Sequence, residues 1–553
     1  MTISEEEFRE IFGDSDEELD ENNSDIDFQG FSDPEENDFD LIEAEIDDQE
    51  NNTLYDYEIQ WSDELSNFEI PEFSGQPGIK VDLADDAEAK HYFFKLFGDD
   101  LFDLIVLETN RYARQTLANK PNQLAKWVDV TRAEMKAYFG LCVIMGLNVL
   151  PKISDYWSTE PFLGNEAIKQ TMARNRFQEI SKFLHFADSC VAPKKGQDGF
   201  DRLYKVRPVL STVLKNCQTC YSPRKNIAVD EGMIAFKGRL SFRQYLPAKP
   251  TKYGIKVWMA ADSSNGYVLN FDIYLGSEEG RRRIHGLGYD VVMNMVKPYL
   301  NKQHHVFFDN FFSSPRLLEH LEMQNTFACS TVRCNRKGLP PCASAKINVG
   351  ELVQAQKGKI LFTKWHDKRD VTFLSTNISP DQPSRTVERT IRGKTEQIVK
   401  PLVSDIYTKY MGGVDRADQL RSYYYIGRQS RKWYKYLFWF AFNVAACNSY
   451  ILQCENTRRK RPQEKFLLEL GKGLIAGFNS RKRPSTSAAL PVIRPMASHL
   501  STKVEGRKKE CVHCKAVGRK TKGNNAVQTK YKCMQCNVSL CKTPCFRDYH
   551  LGP

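Results

Sequence analysis

A multidomain α+β protein is predicted by three features of the sequence. Apolar residues recur at helical spacing between about 85 and 225, β-branched and aromatic runs of strand length begin at Asn226, and six of the fifteen cysteines crowd between 511 and 545. At 553 residues the chain has room for several domains, each with its own core. The net charge of +8 conceals a division: residues 1–50 hold 22 acids against the single Arg9, a net −21, which leaves 77 basic and 48 acidic residues and a net +29 for residues 51–553. A positive body of that size suits a polyanionic partner, because neutralising phosphates releases counterions.

Residues 1–80 form an acidic head with too little periodic apolar surface to offset the entropy of ordering, and disorder is expected there. From 81 to 225 the pattern is helical: helices over 88–97 and 100–117, a third opened by the capping box TRAE at 131–134, a loop at 155–161 and an amphipathic helix over 173–185. Cys217 and Cys220 are a lone pair in a helical stretch, with no partners for a metal. Residues 226–335 read as α/β. A first strand delivers Asp230 to its end, two more over 252–261 and 267–274 flank the turn DSSNG at 262–266, and a helix over 289–300 leads into a strand that ends at Asp309. Asp262 is assigned to the turn and Asp272 to a strand face. Short strands near 350–353, 359–362 and 371–375 form an insertion over 336–400, and the core resumes over 401–425. A long aromatic helix over 433–452 then rejoins the helical domain within 426–480.

No stretch reaches the roughly 20 apolar residues of a membrane span, and the N-terminus lacks an apolar signal core. The residues 436–447 are too short for a span and carry Asn443, so they read as a buried helix. The cysteine usage fits a reducing compartment. The clusters RRKR at 458–461 and RKRP at 481–484, the latter in a basic Ser/Pro linker over 481–508, serve either nuclear import or phosphate contact.

The chemistry centres on four acids. Asp230 lies in NIAVDEGMIAFKGR (226–239), Asp309 in HVFFDNFFSS (305–314), and Asp415 and Asp418 in YMGGVDRADQL (410–420), where a three-residue helical spacing puts both on one face. Carboxylates at strand ends, met by a carboxylate on a helix, hold two Mg²⁺ ions roughly 3.5–4 Å apart, the arrangement used for phosphodiester cleavage. With the flanks VDEG (229–232), YLPAKPTKYGIK (245–256), FDNFFSS (308–314), NRKGLP (335–340) and GVDRADQ (413–419), the chain from about residue 80 onward closely resembles the piggyBac family of DNA transposases.

The resemblance implies a ribonuclease-H-like catalytic core with an inserted domain, flanked by a helical DNA-binding and dimerisation domain. It implies a nuclear homodimer that cuts transposon ends, passes through hairpins and inserts at TTAA. Asp230, Asp309 and Asp415 would ligate two Mg²⁺ or Mn²⁺ ions, with Asp418 as a supporting catalytic acid. Double-stranded DNA is the expected partner and no membrane is. Arg239, Lys249, Lys252, Lys256, Arg336 and Lys337 are candidate DNA contacts on the flanking motifs. A DNA-binding protein that keeps this fold without transposing is the alternative.

In residues 509–553, Cys511, Cys514, Cys533, Cys536, Cys541, Cys545 and His550 have the spacing that zinc requires, since paired ligands on tight turns replace a core too small to fold alone. Seven ligands are present where two full sites need eight. Either His513 completes the set or one of one or two sites is short, and the pairing is left open. The resemblance assigns this module to transposon-end DNA; a ubiquitin-ligase or histone-reading module shares the spacing.

Overall fold

The computed structural model describes residues 60–84, 86–246, 251–276, 284–382, 384–391, 394–479, 501–534 and 536–551. The expectations placed on residues 1–59, on Lys249 and on the run at 481–484 lie outside those residues. The chain divides between Phe478 and Asn479 into two compact units.

The first unit opens with helices α1 (Ala89–Leu96), α2 (Asp99–Leu117), α3 (Arg132–Leu147), α4 (Arg174–Phe183) and α5 (Arg207–Cys220). Thr131 starts α3 as its motif predicts, its hydroxyl accepting the Glu134 N–H at 3.2 Å. The reciprocal half of the box is replaced, because the Glu134 carboxylate accepts a bidentate pair from Arg176 of α4 at 2.8 and 2.7 Å. The expected loop at 155–161 begins with a short 3-10 turn, Ile153–Trp157.

Strand β1 (Gly78–Ile79) pairs with β2 (Tyr221–Ser222), and a large sheet follows. Its strands are β3 (Asn226–Ala235), β4 (Arg243–Tyr245), β5 (Tyr253–Asp262), β6 (Val268–Ile273), β7 (His305–Phe308), β8 (Phe327–Thr331), β9 (Leu352–Lys357), β10 (Ile360–His366) and β11 (Asp370–Ser375). Their order is β4–β5–β3–β7–β8–β11–β10–β9, with β6 also paired to β5. β3, β5 and β6 are an antiparallel meander, whereas β3, β7 and β8 run parallel. Parallel neighbours need crossovers, and helices α6 (Leu287–Val296) and α7 (Pro315–Met323) supply them. The turn after β5 is built by Asp262, fully buried, which accepts from the Tyr221 hydroxyl at 3.0 Å and from the Arg224 and Ser264 N–H groups at 2.8 and 2.9 Å. Gly266 closes that turn at φ +79°. Asp272 sits exposed on β6, as its place on a strand face requires.

Three expectations are corrected. β3 does not end at Asp230 but runs on to Ala235, because β5 pairs with it from Ile227 to Ala235 while β7 pairs only as far as Ala228. Residues 336–400 are not a separate insertion throughout: β11 pairs with β8, so β9–β11 extend the same sheet, and only the hairpin β12 (Arg385–Ile391) with β13 (Lys394–Lys400) stands off it. The head is shorter than 80 residues. From Trp61, whose indole N–H donates to the Gly338 carbonyl at 2.8 Å, the chain crosses Gln356 through a backbone bridge at Ser62 and packs Phe73 at 4.8 Å on His304.

Helices α8 (Leu402–Tyr410) and α9 (Gly413–Tyr423) lie against the sheet, and α10 (Trp433–Thr457) and α11 (Gln463–Ile475) return to the opening helices. Phe442 of α10 meets Phe93, Phe97 and Phe139 at 5.2 to 5.3 Å, the expected return of the aromatic helix to the helical region. By length and composition α10 could cross a membrane, but 94% of its most apolar window is buried. Its polar residues are spoken for: Asn443 donates to the Ile426 and Trp439 carbonyls, and Asn448 bonds both backbone groups of Val268 on β6 at 2.9 Å.

The second unit holds a three-stranded sheet of Ser501–Lys503, Tyr531–Cys533 and Val538–Ser539, with helices Val512–Ala516 and Cys545–Leu551. Its buried centre is Leu540 and four cysteines. So little apolar core makes metal ligation the natural source of its stability.

Candidate active site

β3 and β7 bring the first two acids together. Their parallel register ends at the pair Ala228–Phe307; Asp230 stands two residues further along β3, and Asp309 is the first residue after β7. The Asp230 carboxylate accepts the Glu231 N–H at 2.8 Å, and that of Asp309 accepts the Phe311 N–H at 3.0 Å, which turns the chain as β7 ends. Tyr407 of α8 reports their closeness: burial, and then the nearby charges of Asp309 and Asp230, push its phenol well above its ordinary range.

The other two acids ride on α9, which approaches β3 through glycines. A Cβ at Gly413 would lie 2.9 Å from the Ala228 Cβ and 3.0 Å from the Ser263 Cα, so only glycine seats the helix this close. Five residues on, the Asp418 carboxylate stands over Gly232, 3.4 Å from where a Cβ would be. These two approaches bracket Asp230 on the strand and Asp415 on the helix. Arg416 fixes the start of α9 by donating to the Ser263 carbonyl at 2.9 Å, and Val414, Ala417 and Arg421 form its buried face.

The donor set is carboxylate oxygen alone, which suits Mg²⁺ or Mn²⁺ rather than zinc. Among the described residues, groups of three or more ligand atoms mutually within 4.8 Å occur in the second unit and not among these acids.

The candidate DNA contacts separate. Arg239, Lys252 and Lys337 are exposed. Lys256 is not a surface lysine: it is 2% exposed, pairs with Glu231 at 3.9 Å and lies 4.1 Å over the Trp258 ring, because β5 turns it to the face opposite Asp230. Arg336 is half-buried and donates to the Asn310 and Phe311 carbonyls at 2.7 and 3.2 Å, holding the loop that follows Asp309. The sequence reading missed Tyr407, Gly232 and Arg421. Arg421 had a signal, its three-residue helical spacing from Asp418; the other two depend on packing that no spacing announces.

In the tail the seven predicted ligands form two groups, Cys511, Cys514, Cys541 and Cys545 in one and Cys533, Cys536 and His550 in the other. The groups interleave along the chain. The His550 Nδ1–H donates to the Phe546 carbonyl at 2.6 Å, which turns Nε2 toward the Cys536 Sγ 3.5 Å away. His513 belongs to neither group.

Residues 88–450 match the family model described as Transposase IS4, and residues 494–551 match that described as a DDE_Tnp_1-like zinc finger. The fold and matches place the chain in a transposase family with the DDE-type nuclease fold; more particularly, it belongs to the piggyBac transposase family. Human piggyBac transposable element-derived protein 3 is 26% identical over 473 residues, covering 82% of this chain and 74% of its own length. Human piggyBac transposable element-derived protein 5 is 24% identical over 412 residues, covering 71% and 76%. A cryo-EM structure of a piggyBac transposase synaptic complex with hairpin DNA has the same fold, with a TM-score of 0.64, 23% identity, and coverage of 85% of this chain and 100% of that one.

Proposed function

We propose that the protein is a cut-and-paste DNA transposase that acts as a nuclear homodimer, binds transposon ends, excises through hairpin intermediates and integrates at TTAA. The carrying observation is that the parallel pairing of β3 with β7 ends two residues before Asp230 and Asp309, while the helix that bears Asp415 and Asp418 packs over Ala228 and Gly232 of β3. The strand order β6–β5–β3–β7–β8, a meander continued by two parallel crossover strands, supports reading the centre as a ribonuclease-H-like core.

Asp230, Asp309 and Asp415 would hold two Mg²⁺ or Mn²⁺ ions, which when bound supply an activated oxygen nucleophile and stabilise the departing 3′ oxygen. The chain's own contribution is placement. β3, paired through Asp230 to β5, fixes the first acid; Arg336 holds the turn behind the second; Gly413 and Gly232 admit the helix that carries the others. The exposed Arg239, Lys252 and Lys337 would take backbone phosphates. The Cys₄ and Cys₂His groups would each bind zinc and form a DNA-end-reading module.

The test is cleavage of a duplex carrying the element's own ends in Mg²⁺. Asp230→Asn, Asp309→Asn and Asp415→Asn should each abolish strand cleavage and retain binding, since each removes a ligand charge and little volume. Undiminished cleavage by any one removes that residue from the site. A second reading, DNA binding without transposition, draws on relatives named as element-derived proteins. Binding without cleavage by the unaltered chain would select it.

A further inference from the structure

The parallel ladder between β3 and β7 stops at Ala228 and Phe307, short of both Asp230 and Asp309. Past that point the spacing of the two acids depends on other contacts. Each acid accepts an N–H from a residue just after it, Asp230 from Glu231 at 2.8 Å and Asp309 from Phe311 at 3.0 Å. The side chains of those two donors meet at one residue, Lys256 of β5. Its Nζ lies 3.9 Å from the Glu231 carboxylate and 5.0 Å from the centre of the Phe311 ring. Trp258 completes the group: it pairs with Glu231 across the ladder of β3 and β5, its ring lies 4.1 Å from Lys256 Nζ, and it stacks on Phe311 with centroids 5.8 Å and planes 17° apart.

β5 stays paired with β3 from Ile227 to Ala235, so Lys256 and Trp258 belong with the strand that bears Asp230, while Phe311 belongs to the loop that follows Asp309. The cluster thereby ties that loop to that strand beyond the end of the β3–β7 ladder. Stability alone does not call for a lysine here. Lys256 is 2% exposed, burying an ammonium is costly, and exchanging a buried ion pair for apolar side chains of similar volume is often neutral or stabilising. An apolar residue would fill the space, but only a cation draws a carboxylate from one side and the face of an aromatic ring from another. Here the carboxylate and the ring belong to the two residues whose N–H groups hold the acids.

We propose that Lys256 is a positioning residue. By holding the Glu231 carboxylate and the Phe311 ring together it aims the N–H groups of both residues, and through them it fixes the spacing of the Asp230 and Asp309 carboxylates that would hold the metal ions. The proposal rests on the cleavage reading, and it adds to that site a residue on the face of the sheet opposite Asp230.

The experiment compares the full chain with Lys256→Met, with Lys256→Met combined with Glu231→Gln, and with Phe311→Leu. The combined variant removes both charges, so it serves where Lys256→Met alone fails to fold. Mn²⁺ binding is read by electron paramagnetic resonance, cleavage of a duplex carrying the element's ends is read against Mg²⁺ concentration, and urea midpoints report the fold. Each variant should weaken Mn²⁺ binding about tenfold and raise the Mg²⁺ concentration for half-maximal cleavage by a similar factor, the range for groups that orient metal ligands, with binding of the end duplex unchanged. Adding Phe311→Leu to Lys256→Met should lose little more than either alone, since both act through one cluster. Unchanged Mn²⁺ affinity and Mg²⁺ requirement in the combined variant, whether or not its urea midpoint falls, overturn the proposal, as do additive losses. Failure of the catalytic reading looks different: an unaltered chain that binds Mn²⁺ and cleaves nothing overturns that reading, and weaker Mn²⁺ binding in the variants still carries the positioning role. An unaltered chain that binds no Mn²⁺ overturns both.

Discussion

Arg421 donates to Oδ1 of Asp418 at 2.5 Å from a guanidinium that is itself buried and lies 4.7 Å over the Phe440 ring. A buried cation that has one fixed carboxylate partner and an aromatic floor sets where that carboxylate points. Arg421→Met should therefore reduce cleavage by about 10- to 100-fold, the range for removing a group that orients a metal ligand. Asp418→Asn should fall in a similar range, and the double variant should lose little more than either single. Additive losses would mean that the two act separately.

Glycine at 413 is required by backbone and at 232 by a side chain. Gly413→Ala drives a methyl into Ala228 and the Ser263 backbone, so α9 must shift, at about 1–3 kcal/mol of stability and with loss of cleavage. Gly232→Ala meets the movable Met259 Sδ at 2.8 Å and the Asp418 carboxylate, and should reduce cleavage at smaller cost in stability. Urea denaturation beside a cleavage assay separates the two.

Acid should weaken the first unit before its carboxylates titrate. Burial holds His185 and His305 down at about 3 and His304 at about 4. The unfolded chain takes up those protons below about pH 6.5 and the folded chain does not, so stability is full above that pH and is lost as pH falls toward 4. The slope is about 1.4 kcal/mol per pH unit for each histidine. Urea midpoints from pH 7 to pH 5 should fall accordingly, and His185→Gln should make the fall shallower. A flat profile contradicts the burial.

Chelation of zinc should unfold residues 501–551 and leave the first unit's melting transition in place, since the tail is a separate unit with a cysteine centre. Cobalt substitution should give two spectrally distinct sites, one tetrathiolate and one with two thiolates and His550. An identical spectrum for His550→Ala would remove that histidine from the ligands.

Deleting residues 1–59 should tighten non-specific DNA binding, most at low salt, because a tethered run of acids competes for the same cations within a Debye length of about 8 Å at physiological ionic strength. Deleting 1–79 should also destabilise the sheet, since Trp61 and Phe73 are bound to it. Equal affinities at every salt concentration would mean that the head does not compete for DNA.

Period and punctuation made much of this structure legible. The Thr131 cap, the turn at 262–266 and the tail ligands stand where their spacing puts them, as local hydrogen bonding and ligand geometry demand. Long-range pairing was not legible. Nothing near Asp230 reveals that β5 carries the strand five residues further, nothing in 352–375 says those strands join β8, and Lys256 reads as a surface cation until its partner strand turns it inward. The four acids could be found by motif; the approach of α9 to β3 is a property of two glycines far apart in sequence.

Asp230 lies within a strand that stays paired beyond it, and Asp309 begins the turn directly after the neighbouring strand, so the sheet positions both. The third acid is borne by a helix seated on that sheet by glycine contact and by Arg416. Where Asp415 and Asp418 stand relative to the sheet therefore rests on the seating of α9.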